Sequence, residues 1–141
     1  MRVYLAGPWA RRDEVREARE QIRAAGFLVD CRWIDLPDTD EGQKAPGTLR
    51  REAEDDLEDL RNSDVLVLLN LEPSEGKATE LGYALCLGMP VISVGETRNV
   101  FTRLSQVVPL DGIDDAIEEL KERGRANEAI RRLYAQLGAR R

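Results

Sequence analysis

Residues 62–95 read NSDVLVLLNLEPSEGKATELGYALCLGMPVISVG, and this stretch decides the fold. Val65 to Leu69 is continuously apolar, the pattern of a strand covered on both faces. Pro73 and Gly76 turn the chain at the end of that strand. Gly76 to Leu87 then reads as a helix, closed by Gly88. Pro90 to Val94 returns as another apolar strand. A strand, a helix and a strand in succession imply parallel pairing through a right-handed crossover.

The alternation continues outward in both directions. Upstream, Val3-Tyr4-Leu5-Ala6 is a short apolar run that ends at the turn signal Gly7-Pro8. Val15, Ala18, Ile22 and Ala25 recur at helical spacing until Gly26 stops them, and Phe27 to Trp33 reads as a second strand. Residues 35–47 have no periodicity and form a loop long enough to suggest a binding role. Thr48 is the expected N-cap of the next helix, with an apolar stripe at Leu49, Ala53, Leu57 and Leu60. Downstream, Gln106 to Leu110 reads as a fifth, short strand. Two helical pieces follow, Ile113 to Leu120 and Ala129 to Leu137, on either side of Gly124. The expected product is an α/β fold, one domain over residues 1–141. It would be a doubly wound five-stranded parallel sheet in order 2-1-3-4-5 with helices on both faces. Ligands bind such sheets at the carboxyl ends of the strands, here the loops after residues 6, 33, 70 and 94.

Composition narrows the chemistry. The chain has 141 residues and no histidine. That excludes a Ser-His-Asp triad, a Cys-His pair and a His-ligated zinc site. Two cysteines, Cys31 and Cys86, make neither a thiolate zinc cluster nor a disulfide framework, so a reducing, cytoplasmic setting is expected. No apolar run approaches the roughly 20 residues of a membrane span, and no membrane partner is expected. A net charge of -6 argues against general nucleic-acid binding. Acid–base and nucleophilic work therefore falls on carboxylates, helped by Tyr, Ser, Lys or the backbone. With 27 acidic residues, position must discriminate among them.

Glu80 sits in the first turns of the helix that follows the central strand, where the macrodipole favours an ionised carboxylate. By this reading alone it is either a nucleophile or base, or a routine first-turn acid. Asp56 lies beside the apolar stripe of its helix, where an acid needs a partner or a task unless it reaches water at the rim. A metal site built from Glu52, Asp55, Asp56 and Asp59 is an alternative that their angular spread makes poor. No metal or organic cofactor is expected. Tyr4 is a core aromatic whose hydroxyl can reach the strand ends. The loop Gly7-Pro8-Trp9-Ala10-Arg11-Arg12 offers backbone N–H groups and arginines to an anion, and Ser74 with Gly76 forms a second such loop. Trp9 and Trp33 flank the crevice, able to stack on a planar base or simply to pack.

Together, VYLAGP near the start, NSDVLVLL in the middle and SEGKATELGYALCLGMPVISVG resemble the nucleoside 2-deoxyribosyltransferase family, over roughly residues 2–105. The ELGYAL…GMPV core is the most specific part. The resemblance implies a flavodoxin-like fold and action on the N-glycosidic bond of 2′-deoxynucleosides, with a small nucleoside or nucleotide and a free nucleobase as partners. It also implies a homodimer or higher homo-oligomer whose sites are completed by a neighbouring chain. Carried over residue by residue, Glu80 is the family's nucleophile and Tyr4 the tyrosine beside it. Asp56, eight residues before Asp64, binds the base or gives it a proton. Ser74 stands where free-nucleoside transferases hold the sugar with Asp and where the related 2′-deoxynucleoside 5′-monophosphate N-hydrolases contact the phosphate with Ser. Gly7, Trp9, Arg11 and Gly76 complete the expected substrate-binding set. The tail LGARR is basic where the transferases supply a carboxylate, and GPWARRD shares only part of the hydrolases' strand-one loop.

The implied reaction is a double displacement through Glu80, with Asp56 protonating the departing base, the retaining two-carboxylate logic of glycosidases. A non-catalytic nucleotide-sensing domain on the same fold would keep the loops and lose the nucleophile. A phospho-acceptor receiver domain would need an Asp at the end of the central strand, which here ends Leu68-Leu69-Asn70.

Overall fold

Four short aliphatic runs form the sheet: Val3–Ala6 (β1), Val65–Leu69 (β2), Val91–Val94 (β3) and Val107–Leu110 (β4). In the computed structural model, which describes residues 1–39, 41–97 and 99–138, they pair in parallel in the order β1-β2-β3-β4. Tyr4 lies opposite Leu66, and Leu66 opposite Val91. Every residue of β1, β2 and β3 is buried, as required of strands covered on both faces. β4 is the edge. Its Pro109 is exposed, and an edge tolerates a residue with no N–H to give. The helices are Arg12–Ala24 (α1), Pro46–Arg61 (α2), Glu75–Cys86 (α3) and Ile113–Gly138 (α4). The turns that close α1 and α3 use Gly26 and Gly88 at positive φ, 93° and 67°.

The expected second strand, Phe27 to Trp33, does not form among the described residues, so the expected five-stranded order 2-1-3-4-5 is replaced by a sheet of four strands. Residues 27–33 do run beside β1, but they make only one isolated parallel bridge, between Arg2 and Leu28. The Val3 N–H donates to the Leu28 carbonyl at 2.8 Å. Beyond that point side chains replace the ladder. The Leu5 N–H donates to Cys31 Sγ at 3.1 Å, and the Trp33 indole N–H donates to the Leu5 carbonyl at 3.0 Å. The edge of β1 is thus satisfied without a strand.

Three other expectations shift. α2 begins at Pro46, whose fixed φ suits a first helical position, with Ala45 as the extended residue before it. Of the expected stripe, Leu60 is buried and Leu49 and Leu57 are half-buried, but Ala53 is exposed, and Glu52 and Asp56 are half-buried as well. α4 runs unbroken through Gly124, which in a helix costs only about 1 kcal/mol relative to Ala. Its first half buries Ala116, Ile117 and Leu120, while Ile130, Leu133 and Tyr134 beyond are exposed. The loop after residue 35 is tied down by the buried Arg12, which donates to the Leu36 carbonyl at 2.6 Å and pairs with Asp38. Asp40 in that loop and residues 139–141 of the basic tail lie outside the described residues. Among the described residues, no helix is long and apolar enough to cross a membrane.

Candidate active site

The site is built from β1 outward. Tyr4 is fully buried, and its hydroxyl donates to Glu80 Oε1 at 2.5 Å. Glu80 stands in the second turn of α3, a helix positioned by its start. Ser74 is the N-cap, with Oγ accepting from the Lys77 N–H at 3.4 Å, which leaves the hydroxyl proton free to donate. α2 packs against α3 and brings Asp56 to the same place. The resulting cleft of about 180 Å³ is lined by Glu80, Asp56, Ser74 and Gly76, with Gly7, Trp9 and Trp33 opposite. Residues expected from four separate stretches of sequence therefore meet in one cavity, with Tyr4 just behind it.

Gly7 is needed for a close approach. A Cβ there would stand 2.5 Å from Val15 Cγ2, so any other residue would push the strand-one loop off α1. The two tryptophans form a tilted pair, with ring centroids 6.5 Å apart at 39°. Trp9 remains 40% exposed, and the Arg12 guanidinium lies 4.0 Å from its ring centroid, which fixes the ring's attitude. Arg11 is not among the residues lining the cleft; it pairs with Glu14 on the first turn of α1. Arg12, its neighbour, serves the loop and Trp9 instead.

Burial sets the electrostatics. It pushes the Glu80 carboxyl up to about 8, with the charge of Asp56 adding and the Tyr4 hydroxyl and the Lys77 ammonium opposing. Burial also pushes Asp56 up to about 7, reinforced by Asp59, Glu52 and Asp55 and opposed by Arg32. The Tyr4 hydroxyl is raised as well, first by burial and then by Glu80, so it stays protonated and donates. The acids around Asp56 are engaged elsewhere. Arg32 pairs with Asp55, Glu58 and Asp59, and Lys44 pairs with Glu52 at 2.9 Å. No described group of three or more His, Cys, Asp or Glu is arranged to hold a metal ion. Asp64 takes the N–H of Arg2 at 2.7 Å and so ties the start of β1 to the start of β2.

Three charged residues of this region escape the sequence reading. Glu52 enters there only through the poor metal-site alternative, yet it lines the cleft because the helix turns Glu52 and Asp56 inward. Its spacing of four from Asp56 is the signal that could have found it. Lys44 lies in the loop already suspected of binding. Lys77, three residues before Glu80, lines the cleft too. A larger neighbouring cleft of about 440 Å³, at the ends of β2 and β3, shares Ser74 and Lys77 with the first. The smaller cleft holds both perturbed carboxyls, Glu80 and Asp56.

Glu80 and Asp56, two carboxyls raised by desolvation, thus share one cleft of a parallel α/β fold. The chain belongs to the nucleoside 2-deoxyribosyltransferase family, whose model matches residues 3–133. It is a glycosyltransferase or N-glycosidase type of enzyme. Among solved structures it is similar to a 2-deoxyribosyltransferase from the psychrotolerant bacterium Bacillus psychrosaccharolyticus, at 25% identity and a TM-score of 0.64, covering 83% of this chain and 90% of that one. A conserved protein from Enterococcus faecalis V583 matches at 21% identity and a TM-score of 0.63, over 87% of this chain and 98% of that chain. A CMP N-glycosidase from Clostridium botulinum shares the fold at 16% identity and a TM-score of 0.53, over 86% and 98% of the two chains. No curated protein matches.

Proposed function

We propose that the protein breaks the N-glycosidic bond of 2′-deoxynucleosides, or of their 5′-monophosphates, through a covalent deoxyribosyl ester on Glu80. The observation that carries this reading is the Tyr4–Glu80 hydrogen bond inside a cleft that also holds Asp56. Tyr4 occupies Oε1, which leaves Oε2 to attack C1′ from the face opposite the base. The C1′–N bond breaks and its electron pair goes to the base nitrogen, which takes a proton from Asp56. An acid raised to about 7 holds a proton to give near neutrality. A second base or a water then attacks C1′, and the ester's electron pair returns to Glu80. Trp9 and Trp33 offer aromatic faces to the base.

The 5′-monophosphates are the better substrates in this reading. Ser74 puts a hydroxyl where the transferases of this family have an Asp. A hydroxyl donates to a phosphate oxygen where a carboxylate would repel it. The N-terminus of α3 begins at the same place and adds its N–H groups and dipole. The enzyme works in the cytoplasm as a homodimer or larger assembly, for which exposed Val100, Phe101 and Leu104 supply apolar surface.

The test is to incubate the protein with deoxynucleosides and their monophosphates, with and without a second free base, and to separate the products. Base release, with a deoxyribosyl adduct on the peptide containing Glu80 after rapid quenching, is the expected result. No base release from any of these substrates would overturn the proposal.

A further inference from the structure

Lys77 is a buried lysine, 9% exposed, one turn before Glu80 on the same face of α3. Its ammonium donates to the main-chain carbonyls of Glu72 at 2.7 Å and Leu69 at 3.3 Å. These bonds hold the charge at the end of β2, in the wall between the two clefts. An ammonium has three protons to give, and Lys77 forms no ion pair among the described residues. A positive charge kept out of water is costly, so its retention asks for an anion nearby; Glu72 is the first such charge acting on it and Glu80 the second.

The groups that face Glu80 narrow the choice of that anion. From β1 comes the neutral Tyr4 hydroxyl. From α2 comes Asp56, whose charge opposes that of Glu80. The Cys31 thiol, on the segment beside β1, is pushed up to about 12 by burial and stays uncharged. Lys44 and Glu52 satisfy each other. Glu72, in the larger cleft, lies on the other side of Lys77. Among the described residues, Lys77 is the cation whose charge lowers Glu80, and Glu72 and Glu80 are the carboxylates whose charges act on Lys77.

We infer that the Lys77 ammonium is the positive charge that eases ionisation of the buried Glu80 carboxyl, a positioning role that rests on Glu80 being the nucleophile. It would act at both ends of the reaction. Before attack it favours the carboxylate over the carboxylic acid. In the ester Glu80 carries no charge, and when the second base or water takes C1′ the returning carboxylate meets the same ammonium again. Breakdown of the ester is favoured accordingly.

The experiment reads proton affinities directly, in the free protein. The Glu80 side-chain carboxyl is followed by carbon NMR against pH in the parent, Lys77→Gln and Lys77→Arg, assigned by its loss in Glu80→Gln. Lys77→Gln keeps an N–H for a carbonyl and removes only the charge. The Glu80 midpoint should rise by about one unit or more in Lys77→Gln and stay near the parent in Lys77→Arg. The acid limb of kcat/KM should move with it. Coupling is reciprocal, so nitrogen NMR should show the Lys77 midpoint falling by a similar amount in Glu80→Gln, a variant that leaves Lys77 and its carbonyl partners in place. Unmoved midpoints beside an inactive Glu80→Ala would overturn the role of Lys77 alone. An active Glu80→Ala would overturn the reading on which it rests.

Discussion

The Tyr4 hydroxyl on β1 donates to Glu80 Oε1 on α3 at 2.5 Å, joining residues 76 positions apart in the chain. The bond orients the carboxylate and offsets part of the rise in its proton affinity that burial causes. Removing it by Tyr4→Phe keeps the ring in its buried slot. The Glu80 carboxyl should then titrate still higher, since the hydroxyl lowers it. The expected result is a roughly 100-fold loss in kcat/KM at neutral pH, the low end of what a positioned proton-transfer group contributes, and an acid limb displaced to higher pH. An unchanged pH profile would sink the orienting role.

Stability should report the same carboxyl. Glu80 rises from an ordinary 4.5 to about 8 in the folded protein. A raised carboxyl contributes stability that is fully present below the unfolded value and is lost as pH rises through the folded one. Glu80→Gln cannot ionise and escapes that loss. It should match the parent in thermal unfolding near pH 4 and exceed it by several degrees near pH 9. The same variant should be inactive, so activity and stability should part company at this residue.

Asp56→Asn should leave the fold in place and remove the proton donor. Turnover should fall by about 10²–10⁴-fold, the usual worth of general acid catalysis, and less than on loss of Glu80. In the parent, Glu80 must be ionised and Asp56 protonated, while the two carboxyls titrate near 8 and 7. The profile should therefore be a narrow bell about neutrality, whose limbs belong to the pair rather than to either residue. In Asp56→Asn the alkaline limb should disappear. Its persistence would remove Asp56 from the acid role.

Ser74→Asp tests the phosphate site without disturbing the helix, because Asp caps an N-terminus as well as Ser does. Thermal stability should be unchanged within about 0.5 kcal/mol. The parent should prefer a 2′-deoxynucleoside 5′-monophosphate to the free deoxynucleoside in kcat/KM, and Ser74→Asp should reverse that order. Equal values in the parent, or an order the substitution leaves alone, would return the protein to free-nucleoside substrates.

Much of this was present in one dimension. The continuous apolar run of β2 can only be a strand buried on both faces, and the stop signals Gly26 and Gly88 are read from backbone freedom alone. Ser74, Gly76 and Glu80 are legible because they follow a strand end at a loop–helix junction, and Asp56 because it borders the apolar stripe of α2. The contact between Tyr4 and Glu80 was expected from resemblance, not from spacing, since nothing local links residues so far apart.

Local periodicity and residue type suffice for the α/β class with its parallel sheet, for the absence of histidine chemistry and for the list of carboxylates open to a role. Only the tertiary structure decided what lies beside them. The 27–33 segment has strand-like composition, but the hydrogen-bonding groups of β1 are met by Cys31 Sγ and the Trp33 indole, so a ladder was not needed. α2 turns Glu52 and Asp56 inward and leaves Ala53 outside, because the cleft between α2 and α3 admits half-buried polar groups that a count of apolar positions assigns to solvent. Arg11 and Arg12 are adjacent and chemically alike, yet one pairs with Glu14 at the surface and the other is buried against Trp9 and the 36–38 loop. Which of two equal side chains goes inward depends on the direction of the chain at a single turn, and that is a property of packing, not of composition.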